Sequence, residues 1–267
     1  TKANKPFIAY WPTAAPHGPY STTPDHGPVG NLQVNKPNTK GMNRDQKIAA
    51  MAKYEVENKQ RFDHLVQYMD KLIGKLMAKS TELGIDDNTY FIFCSDNGTA
   101  TIAKNRGVER GVHVAYVIKG PGIKAQGVTD ALTDFSDVAP TLMDIAGVEW
   151  PSEDAFDGKS QLPYLTGKTA EHRDWVYGYT GTAQVVRTKN YLMEAHDKVL
   201  GSPDGRFYFT GDSRYGKGYE RVDTNPEHAK GKEQMDIILA TIPALTRDNP
   251  YWEDKRGQAW LKEYEAM

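Results

Sequence analysis

The chain has 267 residues, 39% hydrophobic and 25% charged, and a formal net charge of −2. That is ordinary globular usage, enough for one large domain or two modest ones. The near-neutral charge excludes a general attraction to nucleic acid or an anionic membrane surface, the absence of any apolar run of bilayer-spanning length excludes a transmembrane helix, and a single cysteine, Cys94, excludes an internal disulfide framework or a multi-cysteine zinc site.

Residues 5–11 (KPFIAYW) read as a short buried strand, ended by Pro12 because proline cannot donate to a ladder. An apolar strand this close to Thr1, with no signal-peptide pattern before it, leads us to expect a piece of something longer. A loop rich in Pro, Gly and His follows, from Thr13 to about Lys40. From Asp45 to about Leu83 the spacing predicts a helix. Phe62, Leu65, Val66, Met69, Leu72, Ile73, Leu76 and Met77 recur at three and four along one stripe, and Gly84 is the expected C-cap.

Thr89 to Ser95 reads as a fully apolar strand of the parallel-sheet type, with Cys94 in it as a small buried hydrophobe. A polar loop runs from Asp96 to Gly111, and Val112 to Lys119 reads as the next strand. After the turn Gly120-Pro121-Gly122, a short helix is expected from Val138 to Ala146, with Asp137 as N-cap, Pro140 in the first turn and Gly147 beyond the end. Strand, helix, strand, loop, strand, helix argues an α/β sheet covered by helices.

The character changes after about Trp150. Residues 151–172 are turn-rich. Four short strands are then expected, at Val176–Tyr179, Gln184–Arg187, Tyr191–Glu194 and Arg206–Thr210, forming a small antiparallel sheet. A helix near Pro226 to Leu245 and an aromatic, charged tail complete the chain. The expected division is an α/β part over residues 1–165 and a C-terminal subdomain over 166–267.

Few residues have obvious chemistry. Asp96 and Asn97 end a strand on the edge where open α/β sheets bind ligands. Both offer hard oxygen donors that suit calcium or magnesium. Asp-Asn-Gly is equally a good turn, and on the tripeptide alone the turn is the stronger reading. His17, stiffened by prolines on both sides, is either an oxyanion ligand or a surface histidine. Lys104 suits sulfate or phosphate but is one of many lysines. Glu109 and His113 frame the next strand, either orienting a site or merely flanking it. Gly120 to Ala125 imitates a dinucleotide fingerprint, yet a turn follows it instead of a helix, so the anion site at a helix N-terminus is missing.

The succession of these pieces is more specific than any one of them. It runs from Ala15-Pro16-His17 to Tyr68-Met69-Asp70-Lys71-Leu72-Ile73-Gly74-Lys75-Leu76, then Ser95-Asp96-Asn97-Gly98 and Lys104. Glu109-Arg110-Gly111-Val112-His113, Asp137-Val138-Ala139-Pro140-Thr141-Leu142 and Gly158-Lys159-Ser160 follow. In that order the chain resembles the type I sulfatases, the arylsulfatase-like enzymes of the alkaline phosphatase superfamily, strongly over about the first 170 residues. The resemblance implies part of a central mixed sheet flanked by helices, then a small C-terminal antiparallel sheet with a helix. It implies Asp96 and Asn97 as calcium ligands, His17 on the sulfate and its bridging oxygen, and Lys104 on the sulfate. The family's usual Glu-Gly-Gly-x-Arg is altered, because Arg110 stands for a glycine and His113 for the arginine.

The family's nucleophile is a formylglycine made from a Cys or Ser in Cys/Ser-x-Pro/Ala-x-Arg, and no such motif occurs here. The first aspartate pair of the metal site is also missing. The resemblance therefore implies the C-terminal part of a sulfatase, inactive without an N-terminal segment. The expected substrate is a sulfated small molecule or carbohydrate, and the expected location periplasmic or secreted. Two alternatives stay open: a degenerate binding module, and a phosphoester or phosphonate hydrolase of the same superfamily. Asn97 speaks against the two-zinc members of the latter.

Overall fold

The computed structural model describes residues 5–18, 20–27, 36–98, 103–104, 107–124, 127–149, 157–197, 203–214 and 216–242. The chain divides into two units, residues 1–89 and 90–267. The expectations for residues 151–156 and for the tail beyond 242 lie outside the described residues.

The first unit is built on α1, Arg44–Glu82. Its N-terminus is a capping box: Asn43 Oδ1 accepts from Gln46 N–H at 2.9 Å and Gln46 Oε1 accepts from Asn43 N–H at 3.0 Å. Its C-terminus is a Schellman motif, with Ile85 N–H on Ser80 O at 3.0 Å and Gly84 N–H on Thr81 O at 2.9 Å. Gly84, at φ 64°, supplies the left-handed residue the motif needs. The predicted apolar stripe lies on this helix, but only Leu65 in it is buried. The preceding loop packs on α1 through Tyr20 edge-on to Phe62, a His26–His64 ring stack at 3.7 Å, and Lys71 paired with Asp25 at 2.6 Å.

The strand expected over 5–11 does not form. Those residues have no ladder partner among the described residues, and Ile8 and Tyr10 are 79% and 87% exposed. Apolar composition alone does not make a strand, because the backbone groups must also find a neighbour.

In the second unit, β1 (Phe91–Cys94) pairs antiparallel with β2 (Tyr116–Lys119), Phe91 opposite Lys119 and Cys94 opposite Tyr116. The parallel pairing expected for this strand is therefore corrected: its described neighbour runs the other way. Cys94 is exposed, not buried. The strand expected from Val112 begins only at Tyr116, because Glu109–Val112 forms a single helical turn, α2.

Helix α3 spans Val138–Ala146 and ends at Gly147, φ 65°. Asp137 is its N-cap residue, as expected, but the side chain makes no capping hydrogen bond to this helix. A 3₁₀ turn over Phe135–Asp137 precedes it, and Asp134 caps that turn. Asp137 is instead drawn into the interior, where its carboxylate accepts from His172, Arg173, Thr133 and the backbone of Asp134 and Lys159. Helix α4, Leu162–Leu165, holds the turn after β2 through Lys124 N–H on Leu165 O at 3.1 Å.

The remaining strands are β3 (Trp175–Thr180), β4 (Ala183–Thr188), β5 (Tyr191–His196), β6 (Arg206–Phe209) and β7 (Glu220–Arg221). They form one antiparallel sheet in sequence order. Side chains alternate across it. Val186, Met193 and Phe207 point to the face covered by α5, Ala229–Thr241, and pack there against Met235, Ile238 and Leu239. The opposite face carries Arg187, Glu194 and Arg206, and it is there that the 107–112 segment docks.

Candidate active-site loop

The loop after β1 is compressed by two glycines. A Cβ on Gly98 would lie 2.1 Å from the Arg110 carbonyl oxygen, and Gly98 N–H donates to Gly111 O at 2.8 Å. A Cβ on Gly111 would lie 2.3 Å from Ala103 O and 3.4 Å from Lys104 N. Only glycine permits backbones to approach this closely. The three pieces carrying Asp96-Asn97, Lys104 and Arg110–His113 are therefore in contact through their main chains. That explains the glycine after Asp-Asn, where the sequence offered only a turn.

Asp96 is exposed and Asn97 half-buried, and Asn97 Nδ2 donates to Asp96 Oδ2. This orientation leaves Asn97 Oδ1 and the remaining carboxylate lone pairs as oxygen donors. As a donor set they fit a hard cation such as calcium or magnesium in type. In number they fall short of a full shell, and among the described residues no group of three His, Cys, Asp or Glu side chains could hold a metal ion. Lys104 and His113 are exposed on the same loop. His17 belongs to the first unit and is exposed there. Its backbone N–H is tied to Ala14 O at 2.8 Å and its Nδ1–H donates to the Gly18 carbonyl, which leaves Nε2 as the outward nitrogen.

Glu109 turns away from this loop surface into the C-terminal sheet. Its carboxylate meets Arg187 Nε at 3.2 Å and accepts from Tyr219 OH at 3.2 Å, while its N–H donates to Glu194 Oε2 at 3.0 Å. Glu194 is itself paired with Arg206 at 2.8 Å. Burial pushes the Glu109 carboxyl above its ordinary range, against the opposing pull of Arg187 and the Tyr219 hydrogen bond. Burial likewise lowers the Arg187 guanidinium. Arg187 spends its other donors on Thr210 Oγ1 at 2.5 Å, Tyr191 O at 3.1 Å and Ser213 O at 2.9 Å, and lies over the Tyr219 ring. Two backbone contacts complete the dock: Ala195 N–H on Gly107 O at 2.8 Å, and Gly107 against Ala183, where a Cβ would come within 2.7 Å.

Of the residues expected at a site, Asp96, Asn97, Lys104 and His113 thus share one braced loop, and His17 stands in the other unit. Sequence reading missed Arg187, Tyr219 and Glu194. Nothing local marks them, since they lie far down the chain and matter only through the sheet that returns them to Glu109.

The family model described as Sulfatase matches residues 1–148. An ulvan-active sulfatase of Formosa agariphila is 27% identical over 255 residues, 94% of this chain and 45% of the relative. The N-acetylglucosamine-6-sulfatase of Homo sapiens is 30% identical over 183 residues, 61% and 33% of the two chains. An extracellular sulfatase SULF-1 homolog of Drosophila melanogaster is 29% identical over 189 residues, 64% and 17%. The chain spans less than half the length of these relatives. Among solved structures, the phosphonate monoester hydrolase SpPMH from Silicibacter pomeroyi matches with a TM-score of 0.53 at 19% identity, over 76% of this chain and 43% of that one. Ps i-CgsB, in complex with k-i-k-neocarrahexaose, matches with a TM-score of 0.61 at 16% identity, over 95% and 53%. The solved structures speak for the fold alone: α/β, with a small C-terminal antiparallel sheet and its helix. Because the family model runs from the Ala-Pro-His loop through α1 and the Asp96-Asn97 turn to the end of α3, the chain belongs to the sulfatase family.

Proposed function

We propose that this chain forms the metal- and sulfate-binding part of a sulfuric ester hydrolase, and that it needs a nucleophile-bearing N-terminal segment to turn over. The observation that supports the reading is the two-glycine contact, which gathers Asp96, Asn97 and Lys104 onto one loop. On this reading Asp96 and Asn97 contribute oxygen donors to a calcium ion, or to magnesium. The bound cation supplies charge neutralisation at the sulfate oxygens. Lys104 donates to a sulfate oxygen as a compact cation. His17, held by its Nδ1–H on Gly18 O, presents Nε2. When protonated, that nitrogen donates to the bridging ester oxygen and steadies the leaving group. His113 contacts the substrate from the loop's rim. The formylglycine that attacks sulfur belongs to the N-terminal segment in this account. The substrate is a sulfated carbohydrate or small ester, and the location is periplasmic or secreted.

The test is sulfate release. Joined to an N-terminal segment carrying the nucleophile motif, the chain is expected to hydrolyse an aryl or sugar sulfate, and alone to release none. If the joined protein leaves every sulfate ester intact but cleaves a phosphonate or phosphate monoester, the superfamily's other chemistry is the right one. If the coding sequence before Thr1 holds no nucleophile motif, a binding module replaces the enzyme.

A further inference from the structure

Asn97-Gly98 is the one Asn-Gly pair in the sequence, and that pair has a chemistry of its own. The backbone nitrogen that follows an asparagine attacks its side-chain amide carbon, and glycine, with no Cβ, hinders the attack least. No bulkier residue fits here, because a Cβ on Gly98 would lie 2.1 Å from Arg110 O. The loop is therefore obliged to carry a labile pair. The structure ties down both nitrogens of the reaction. Gly98 N–H, on the nucleophilic nitrogen, donates to Gly111 O at 2.8 Å. Asn97 Nδ2, the leaving nitrogen, donates to Asp96 Oδ2. The acceptor is fixed in turn: Gly111 is buried in α2, its N–H is on Val108 O at 2.9 Å, and α2 is anchored by Glu109 on Arg187 at 3.2 Å. Asn97 itself is only half-buried. Its protection is thus the hydrogen bonding of the docked loop and not exclusion of water.

We infer that Asn97 is a modification site, a spontaneous deamidation site that the docking of α2 holds closed. When Gly98 N–H leaves Gly111 O, the Gly98 nitrogen loses its proton to solvent and forms a bond to Asn97 Cγ. The Cγ–Nδ2 bond breaks, and the amide nitrogen departs as ammonia. The resulting succinimide takes up one water at either carbonyl, which leaves aspartate or isoaspartate at position 97. No oxidant, metal or enzyme is required. The product has a carboxylate where the amide donated to Asp96, so a hydrogen bond becomes a like-charge contact, and the isoaspartate form reroutes the main chain through the side chain. The inference goes beyond the sulfatase reading and stands on the loop geometry alone.

The experiment incubates the chain in mildly alkaline buffer, with and without urea, and follows aspartate and isoaspartate at position 97 by peptide mapping and mass spectrometry. The variants are Glu109→Gln, Gly111→Ala and Lys189→Gln, the last an exposed cation paired with Glu171 away from the loop. The wild type without urea should convert at least about tenfold more slowly than in urea, because the reaction must wait for local opening. Gly111→Ala, whose Cβ would strike Ala103 O at 2.3 Å, should approach the urea rate. Glu109→Gln keeps the side chain's shape and removes only the ion pair, so it should convert at an intermediate rate while still folded. It decides the matter if Gly111→Ala fails to fold. Lys189→Gln should match the wild type. A wild type that converts as fast without urea as with it, a Glu109→Gln chain no faster than the wild type, or equal acceleration by Lys189→Gln overturns the assignment. The sulfatase reading is tested separately, by sulfate release from the joined protein.

Discussion

A carboxylate with no exposed surface survives only if its lone pairs are occupied, and Asp137 meets that condition. Burial alone would raise its pKa. The hydrogen bonds from His172, Lys159 N–H and Asp134 N–H, together with Arg173, reverse this and hold it below the ordinary 3.8. A folded-state pKa below the unfolded one means that the ionised group stabilises above about pH 3.8, and that this contribution is lost as the pH falls below it. Asp137→Asn is expected to cost about 3–5 kcal/mol at neutral pH, the range for breaking a buried charge pair. In urea unfolding, its deficit should shrink towards pH 3. A deficit that stays constant with pH would contradict the assignment. Gly98 makes a second case at this scale. Gly98→Ala puts a methyl onto the Arg110 carbonyl, and should cost about 1–3 kcal/mol and weaken calcium binding by the chain in direct titration. An alanine variant that binds calcium like the wild type would show that the compressed loop is not needed for it.

At the scale of elements, the site loop is held from behind by the C-terminal sheet. Arg187→Met leaves Glu109 buried without its cation, which should cost about 3–5 kcal/mol. Glu109→Gln in the same chain should recover much of that, since the stranded charge is then gone. A double-mutant cycle by chemical unfolding measures the coupling, and additive losses would contradict the brace. The pH sign here is opposite to that of Asp137. Burial raises the folded pKa of Glu109, so its contribution is present below the ordinary 4.5 and declines as the pH rises through the folded value. Much of this layer was legible in the sequence. The 3.6 period and the Gly84 cap gave α1, Gly147 gave the end of α3, and short runs between tight turns gave β3 to β6, whereas the Asn43 cap emerged only in the structure. The strand over 5–11 was not legible, because pairing depends on a neighbour that local pattern does not report. The Glu109–Arg187 brace was invisible for the same reason: it joins residues distant in the chain through sheet register alone.

For the whole molecule, the family was readable because the order of weak signals is specific even where each is not. Asp96-Asn97 alone favoured a turn, and its position between Ala15-Pro16-His17 and Lys104 is what argued for chemistry. The charge of the site loop was less readable, since it depends on which groups the fold neutralises. Glu109 looks available in sequence and is spent in the structure, while Arg110 next to it is not. The central claim, that the loop of Asp96, Asn97 and Lys104 serves sulfate-ester hydrolysis, is tested most directly by inorganic sulfate released from a sulfated sugar. The comparison is the chain joined to its nucleophile-bearing segment against the same protein with Asp96→Ala. The account predicts calcium-dependent release that falls at least about a hundredfold in the variant, as expected when charge stabilisation of the transition state is removed. Release that Asp96→Ala leaves intact, or no release from the joined protein at all, would contradict it.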